Sequence, residues 1–192
     1  TFRKFTFAET LKKLQELGVA GVEAFPGQAL AAEFPGARFD EGMTEDQIAF
    51  VKNALKTTGV TLYGYGVVDI GQTEASMRKV FDFARKMGIR IIVCEPADDD
   101  FTLLEKLVQE YNIKIAIHNH PESPKQRYWS PETVLDVCKG RGKRIGACCD
   151  TGHWVRSGLD PVECLKKMEG RILAFHLKDA AEMARLFRDL PE

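Results

Sequence analysis

The chain has only four histidines, and several common functional signatures are missing. The 192 residues carry a formal net charge of -1, from 27 Lys plus Arg against 28 Asp plus Glu. No basic tail or stripe stands out, so nucleic acid is not an expected partner. The densest basic run, residues 139–144 (KGRGKR), reads as a solvated loop rather than a phosphate groove. No apolar run approaches the ~20 residues that a membrane-spanning helix needs, and no membrane partner is expected. No signal-peptide pattern is found either. The five cysteines, Cys94, Cys138, Cys148, Cys149 and Cys164, lack the spacing of a structural zinc site. Buried free thiols are the simplest reading, which points to a reducing compartment and a cytoplasmic location. The chain does not begin with Met, so an exported location stays open.

What is present suits a folded core. Apolar residues make up 44% and charged residues 29%, which fits one domain over residues 1–192. Six strand-like segments recur: 19–25 (VAGVEAF), 60–68 (VTLYGYGVV), 89–94 (IRIIVC), 113–117 (IKIAI), 145–149 (IGACC) and 171–175 (RILAF). Helical patterns alternate with them. Thr6 and Glu9 form a capping box ahead of a helix with Leu11, Leu14 and Leu17 on its apolar face, and Gly18 stops it. Thr44 and Gln47 open a second helix that ends at Gly59. Further helices are expected at 72–87, 101–111, from Ser130-Pro131, from Asp160-Pro161 and at 180–190. Residues 26–40 and the stretch from Thr151 to Leu159 read as loops.

Strands alternating with helical crossovers indicate a parallel sheet. No glycine-rich phosphate loop follows any strand, which weakens the dinucleotide and nucleoside-triphosphate readings. Polar residues instead gather after many different strands: Glu23, Glu95, His118, His120, Asp150, His153, His176 and Lys178. In a (β/α)8 TIM-type barrel those strand ends converge on one mouth, so a barrel is favoured over an open sheet. The pattern holds six strands and starts and ends on incomplete units. The expectation is that residues before Thr1 and around 179–181 are missing.

The four histidines are His118, His120, His153 and His176, all at or just past a predicted strand end and none in a predicted helix. The run CCDTGHW (148–154) is central. Asp150 and His153 together suit a divalent metal or proton handling. They equally suit an Asp capping the next helix and a His packed under Trp154. Asp150 and His176 end consecutive strands and make a sound half of a metal shell. His118, from the preceding strand, is either a third ligand or a group facing substrate. Glu23 either turns towards a polar cavity near the strand end, or pairs with a core arginine or faces the sheet edge. Trp154, Tyr65 and Phe25 form a wall against a sugar ring or ordinary packing.

The segments VAGVEAF, IRIIVCEP, IKIAIHNHPE, CCDTGHW and AFHLKD resemble the sugar phosphate isomerase/epimerase family of xylose isomerase-like barrels. This resemblance to eight-stranded barrels implies that the first and eighth strands are absent. The resemblance implies one divalent ion (Mn, Co, Zn or Mg), with Asp150, His176 and His118 as metal ligands. His118 stands where epimerases carry a Glu, a departure from their pattern, and Glu122 is a candidate to reach back. The resemblance assigns His118, His153 and Lys178 to catalysis, and no organic cofactor. Lys178 either steadies an enediolate oxygen or forms a salt bridge with Asp179 or another carboxylate. The implied activity is isomerisation or epimerisation of a sugar or keto-sugar through an enediolate. The alternatives are a keto-sugar dehydratase or lyase, and a degenerate barrel serving as a non-catalytic binding subunit. A small sugar is the expected partner, and a homo-oligomer is compatible.

Overall fold

The computed structural model describes residues 2 and 4–178. The expected helix at 180–190, and Asp179, lie outside the described residues. The chain divides into two compact units, Thr1–Ile92 with Glu110–Ile113, and Val93–Gln109 with Lys114–Glu192.

In the first unit, α1 (Phe7–Glu16) starts at the Thr6–Glu9 capping box, and α2 (Glu45–Thr58) starts at the Thr44–Gln47 box. Each box satisfies backbone N–H groups that a helix start leaves unpaired. Strand β1 (Gly21–Ala24) pairs in parallel with a later strand, Thr61–Gly66. Between them lies a short antiparallel ladder, β2 (Gln28–Ala29) with β3 (Arg38–Phe39), inside the stretch expected to be a loop. The Thr61–Gly66 strand is therefore β4, and α3 (Glu74–Met87) follows it. Phe39 is fully buried, its ring 4.4 Å from that of Phe7 and 5.6 Å from that of Phe83. It anchors this loop to the core. Tyr65 packs into the same cluster, 5.3 Å from Phe83. Leu17 departs from the expected apolar face: it caps the end of α1 and is exposed. Gly64 of β4 leaves room for the Glu23 side chain, because a Cβ there would sit 3.0 Å from Cγ of Glu23.

The second unit contains α4 (Phe101–Glu110, to Gln109), β6 (Lys114–His118), α5 (Pro131–Cys138), β7 (Ile145–Asp150), α6 (Thr151–Arg156), α7 (Pro161–Lys167) and β8 (Ile172–His176). The division between the units runs through β5 (Ile91–Cys94). Strand order in the six-stranded sheet is β1-β4-β5-β6-β7-β8, so hydrogen-bonded neighbours are also successive in the sheet. All six residues of β7 are buried, as expected for a parallel strand covered on both faces. Its parallel register pairs Cys148 with His118 of β6 and Asp150 with His176 of β8. That register sets Asp150 level with His176 and places His118 level with Cys148, two residues before Asp150. All five cysteines are buried thiols, and no disulfide joins any of them.

One local expectation is corrected. Residues 151–156 form α6, where the sequence suggested a loop, and His153 therefore lies within a helix. Thr, Gly, His, Trp and Val are indifferent or poor helix formers, so propensity gave no signal. Burial of Thr151 through Val155 and the cap from Asp150 outweigh that propensity.

Candidate metal centre

Asp150 ends β7 and has two roles. Its Oδ1 accepts a hydrogen bond from the His153 backbone N–H at 3.1 Å, capping α6. The capping reading of Asp150 is thus met by one carboxylate oxygen, and the other oxygen faces the histidine cluster. Oδ2 is buried and faces Lys178 Nζ at 2.5 Å, His118 Nε2 at 3.4 Å, His153 Nε2 at 3.5 Å and His176 Nδ1 at 3.8 Å. None of these approaches has the geometry of a hydrogen bond.

Asn119 fixes the strand ends. Its side-chain amide donates to the Asp150 carbonyl at 3.0 Å, and its side-chain oxygen accepts from the Asp150 N–H at 2.7 Å. This buried two-way clamp sets the height of Asp150 relative to His118. Asn119 is not among the residues the motifs single out, although its place between two histidines at a strand end is a usable signal.

His118 and His120 are two residues apart at the end of β6, a spacing that keeps side chains on one face of an extended chain. His118 Nδ1 lies 3.4 Å from Glu95 Oε1, and His120 Nε2 lies 2.5 Å from the same oxygen. The His120 ring stacks on that of His153, with centroids 5.2 Å apart. Tyr128 ties the following loop back: it accepts from the His120 N–H at 2.8 Å and donates its hydroxyl to the Pro96 carbonyl at 2.6 Å. Glu122 is exposed, and its N–H donates to Ser157 Oγ. Trp154 and Tyr65 are fully buried, which makes them packing residues.

The electrostatics follow from this crowding. Burial alone would push the Asp150 carboxyl up, but His118, Lys178 and His153 outweigh it and hold the group well below the usual carboxylate range. Burial would likewise raise Glu95, and His118 and His120 hold it down. Burial lowers the His118 imidazole, yet Asp150 and Glu95 leave it raised overall. His153 is driven down to about 4, chiefly by burial against the pull of Asp150, with Lys178 and His118 adding to the burial effect. His153 is therefore neutral near pH 7.

The donor set fits a divalent cation. Tetrahedral coordination at about 2.0–2.2 Å places neighbouring donor atoms roughly 3.3–3.6 Å apart. The His118–Asp150 and His176–Asp150 separations, 3.4 and 3.8 Å, are close to that spacing. Ligand atoms of His118, Asp150 and His176 all lie within 4.8 Å of one another, as do those of Glu95, His118 and His120. Buried Asp150 Oδ2 and His118 Nδ1, lacking hydrogen-bond partners, are the kind of atoms that a bound ion satisfies.

The model of the xylose isomerase-like TIM barrel matches residues 11–192. The chain belongs to that family. Six parallel strands with intervening helices are its architecture here, against eight strands in a complete (β/α)8 barrel. Among curated proteins the family member is 35% identical over 85 residues to inosose dehydratase 2 of Bacillus cereus (strain ZK / E33L), covering 44% of this chain and 28% of that protein. The chain thus spans under a third of the length of that relative. A solved structure of an uncharacterized protein from Parabacteroides distasonis ATCC 8503 is 38% identical, with a TM-score of 0.79 over 93% of this chain and 72% of that one. A solved structure of the IolI protein with a zinc atom shares the fold at 15% identity, with a TM-score of 0.66 over 90% and 67% of the two chains.

Proposed function

We propose that the full-length protein is a divalent-metal-dependent enzyme that isomerises or epimerises a sugar or keto-sugar by moving a proton next to a carbonyl. One observation carries this reading: His118, Asp150 and His176 converge within 4.8 Å around a buried carboxylate oxygen that has no hydrogen bond. The zinc in the IolI structure supports it as a case of the same fold holding an ion. When bound, a divalent ion supplies Lewis acidity to a substrate carbonyl. His118, Asp150 and His176 would hold it, which gives His118 the ligand role rather than that of a free base.

The remaining residues handle protons and charge. His153 is neutral near pH 7 and beside the centre; its lowered pKa makes it a weak base, so it suits hydrogen bonding to a substrate hydroxyl better than holding a proton. Lys178 Nζ lies 3.0 Å from His153 Nε2 and against Asp150, where its charge steadies negative charge building on a substrate oxygen. His120, hydrogen-bonded to Glu95 and partly exposed, is a group able to exchange a proton. A sugar-sized polar substrate is the partner these groups suit. In this proposal the chain forms a single barrel domain and acts in the cytoplasm. Among the described residues no helix is long and apolar enough to cross a membrane.

A second reading, dehydration of a keto-sugar or cyclic keto-polyol, is favoured by the likeness to inosose dehydratase. Elimination starts from the same proton removal and then needs an acid for the departing hydroxyl, a role open to the partly exposed His120. Proton NMR in deuterium oxide separates the two with the full-length, metal-loaded protein. Deuterium entering beside the carbonyl with retention of all hydroxyls indicates epimerisation or isomerisation. Loss of a hydroxyl indicates dehydration. Metal binding without either reaction would favour a non-catalytic binding subunit.

A further inference from the structure

His118 has more to offer than one ion can use. Its side chain is 4% exposed, and both ring nitrogens face carboxylates: Nε2 faces Asp150 at 3.4 Å and Nδ1 faces Glu95 at 3.4 Å. Nδ1 is buried and has no hydrogen-bond partner. A separation of 3.4 Å is longer than a good N–H···O hydrogen bond, about 2.7–3.2 Å. It matches the roughly 3.3–3.6 Å between neighbouring ligands on a tetrahedral ion. His120 supplies a second nitrogen on the same Glu95 oxygen.

We propose that Glu95, His118 and His120 form a second divalent-cation site, suited to zinc, which shares the His118 imidazole with the Asp150 centre. Two nitrogens and one carboxylate oxygen are a normal zinc donor set, and they leave one position for water. The backbone has already brought the three together. Glu95 directly follows β5, His118 ends β6, and Tyr128 bridges the two strand ends through Pro96 and His120. Glu95 and His120 are 28% and 32% exposed on their side chains, so the site can be reached from solvent. The short His120–Glu95 hydrogen bond gives way as both groups turn to the ion. With both sites filled, His118 is ligated through both nitrogens and its ring proton passes to solvent. This inference rests on the metal reading above only through His118.

The test is zinc content. Full-length protein is stripped with chelator, equilibrated with buffered excess zinc, freed of unbound metal and measured for zinc per chain. Two zinc ions are expected in the wild type and one each in Glu95→Gln and His120→Ala, with folding checked by circular dichroism. His120→Gln replaces His120→Ala if the latter does not fold. A wild type that saturates at one zinc overturns the proposal, and so does retention of two zinc ions in Glu95→Gln and His120→Ala. A single zinc that Glu95→Gln merely weakens also overturns it, since Glu95 would then only orient His118. Asp150→Asn and His176→Ala test the other centre separately: their retention of the full wild-type zinc content contradicts that reading and leaves the Glu95 result interpretable.

Discussion

Nζ of Lys178 lies 2.5 Å from Oδ2 of Asp150, the same buried oxygen that three imidazoles face. The ammonium group stands where a divalent ion would bring its charge. An arriving ion must break this pair or share the oxygen with it. Lys178→Met is therefore expected to bind zinc more tightly, by roughly tenfold, because the competing ion pair at Oδ2 is gone. Turnover should fall in the same variant if Lys178 also steadies the substrate oxygen. Isothermal titration with zinc, paired with a rate assay, checks both directions.

Asp150 joins a helix cap to the metal centre, and two substitutions separate these roles. Asn is as good an N-cap as Asp, so Asp150→Asn should keep α6 while losing metal affinity by at least about 100-fold. Asp150→Ala should lose the metal and also the cap, costing about 1 kcal/mol more in stability. Urea unfolding of the metal-free variants gives the comparison. Equal stabilities would mean that the Oδ1 hydrogen bond to His153 contributes nothing.

Gly152 makes room for Lys178. A Cβ built there would lie 2.8 Å from Cβ of Lys178, a distance that forces one of them to move. Gly152→Ala is expected to cost about 1–3 kcal/mol through this overpacking and to displace the ammonium from Asp150. Thermal unfolding reads the first effect. Zinc affinity that rises, as in Lys178→Met, reads the second.

Asn119 predicts a larger structural loss. Replacing it with Leu removes both arms of its clamp on Asp150 and leaves a buried backbone N–H and C=O unpaired. The expected cost is about 1–3 kcal/mol for each buried group left unsatisfied. Denaturant titration measures it, and metal affinity should fall as the Asp150 position loosens.

Acid should release the metal. The His118 pKa is raised in the metal-free chain, because Asp150 and Glu95 outweigh the lowering by burial. Protons therefore compete at this ligand from above the ordinary histidine range downwards. Metal affinity is expected to be full on the alkaline side and to fall as pH drops through the His118 pKa. Titrations at several pH values should also show proton release on zinc binding near neutrality.

All six long strands were legible in the sequence because short β-rich runs alternate with well-capped helices, and capping boxes such as Thr6–Glu9 are local chemistry. The convergence of His118, Asp150 and His176 followed from their placement at successive strand ends. Residues 151–156 were hidden, because a short helix held by burial and one cap leaves little trace in propensity. The β2–β3 ladder was hidden too, since two-residue strands have no periodicity to detect. Leu17 shows the limit of periodicity: the spacing was right, but the helix ended before the stripe did. The pairing of Glu95 with both His118 and His120 depends on two strands meeting side by side, which the i, i+2 spacing of the histidines only half announced.

The most direct test of the central claim is the first zinc equivalent, titrated into the chelator-stripped full-length protein against a competing zinc indicator. Asp150 and His176 are predicted to be ligands, so the wild type should take up that equivalent at free zinc concentrations where Asp150→Asn and His176→Ala take up none at the Asp150 centre and bind measurably less in total. If both variants, folded by circular dichroism, match the wild-type isotherm, the ion is held elsewhere and the assignment of this centre is wrong.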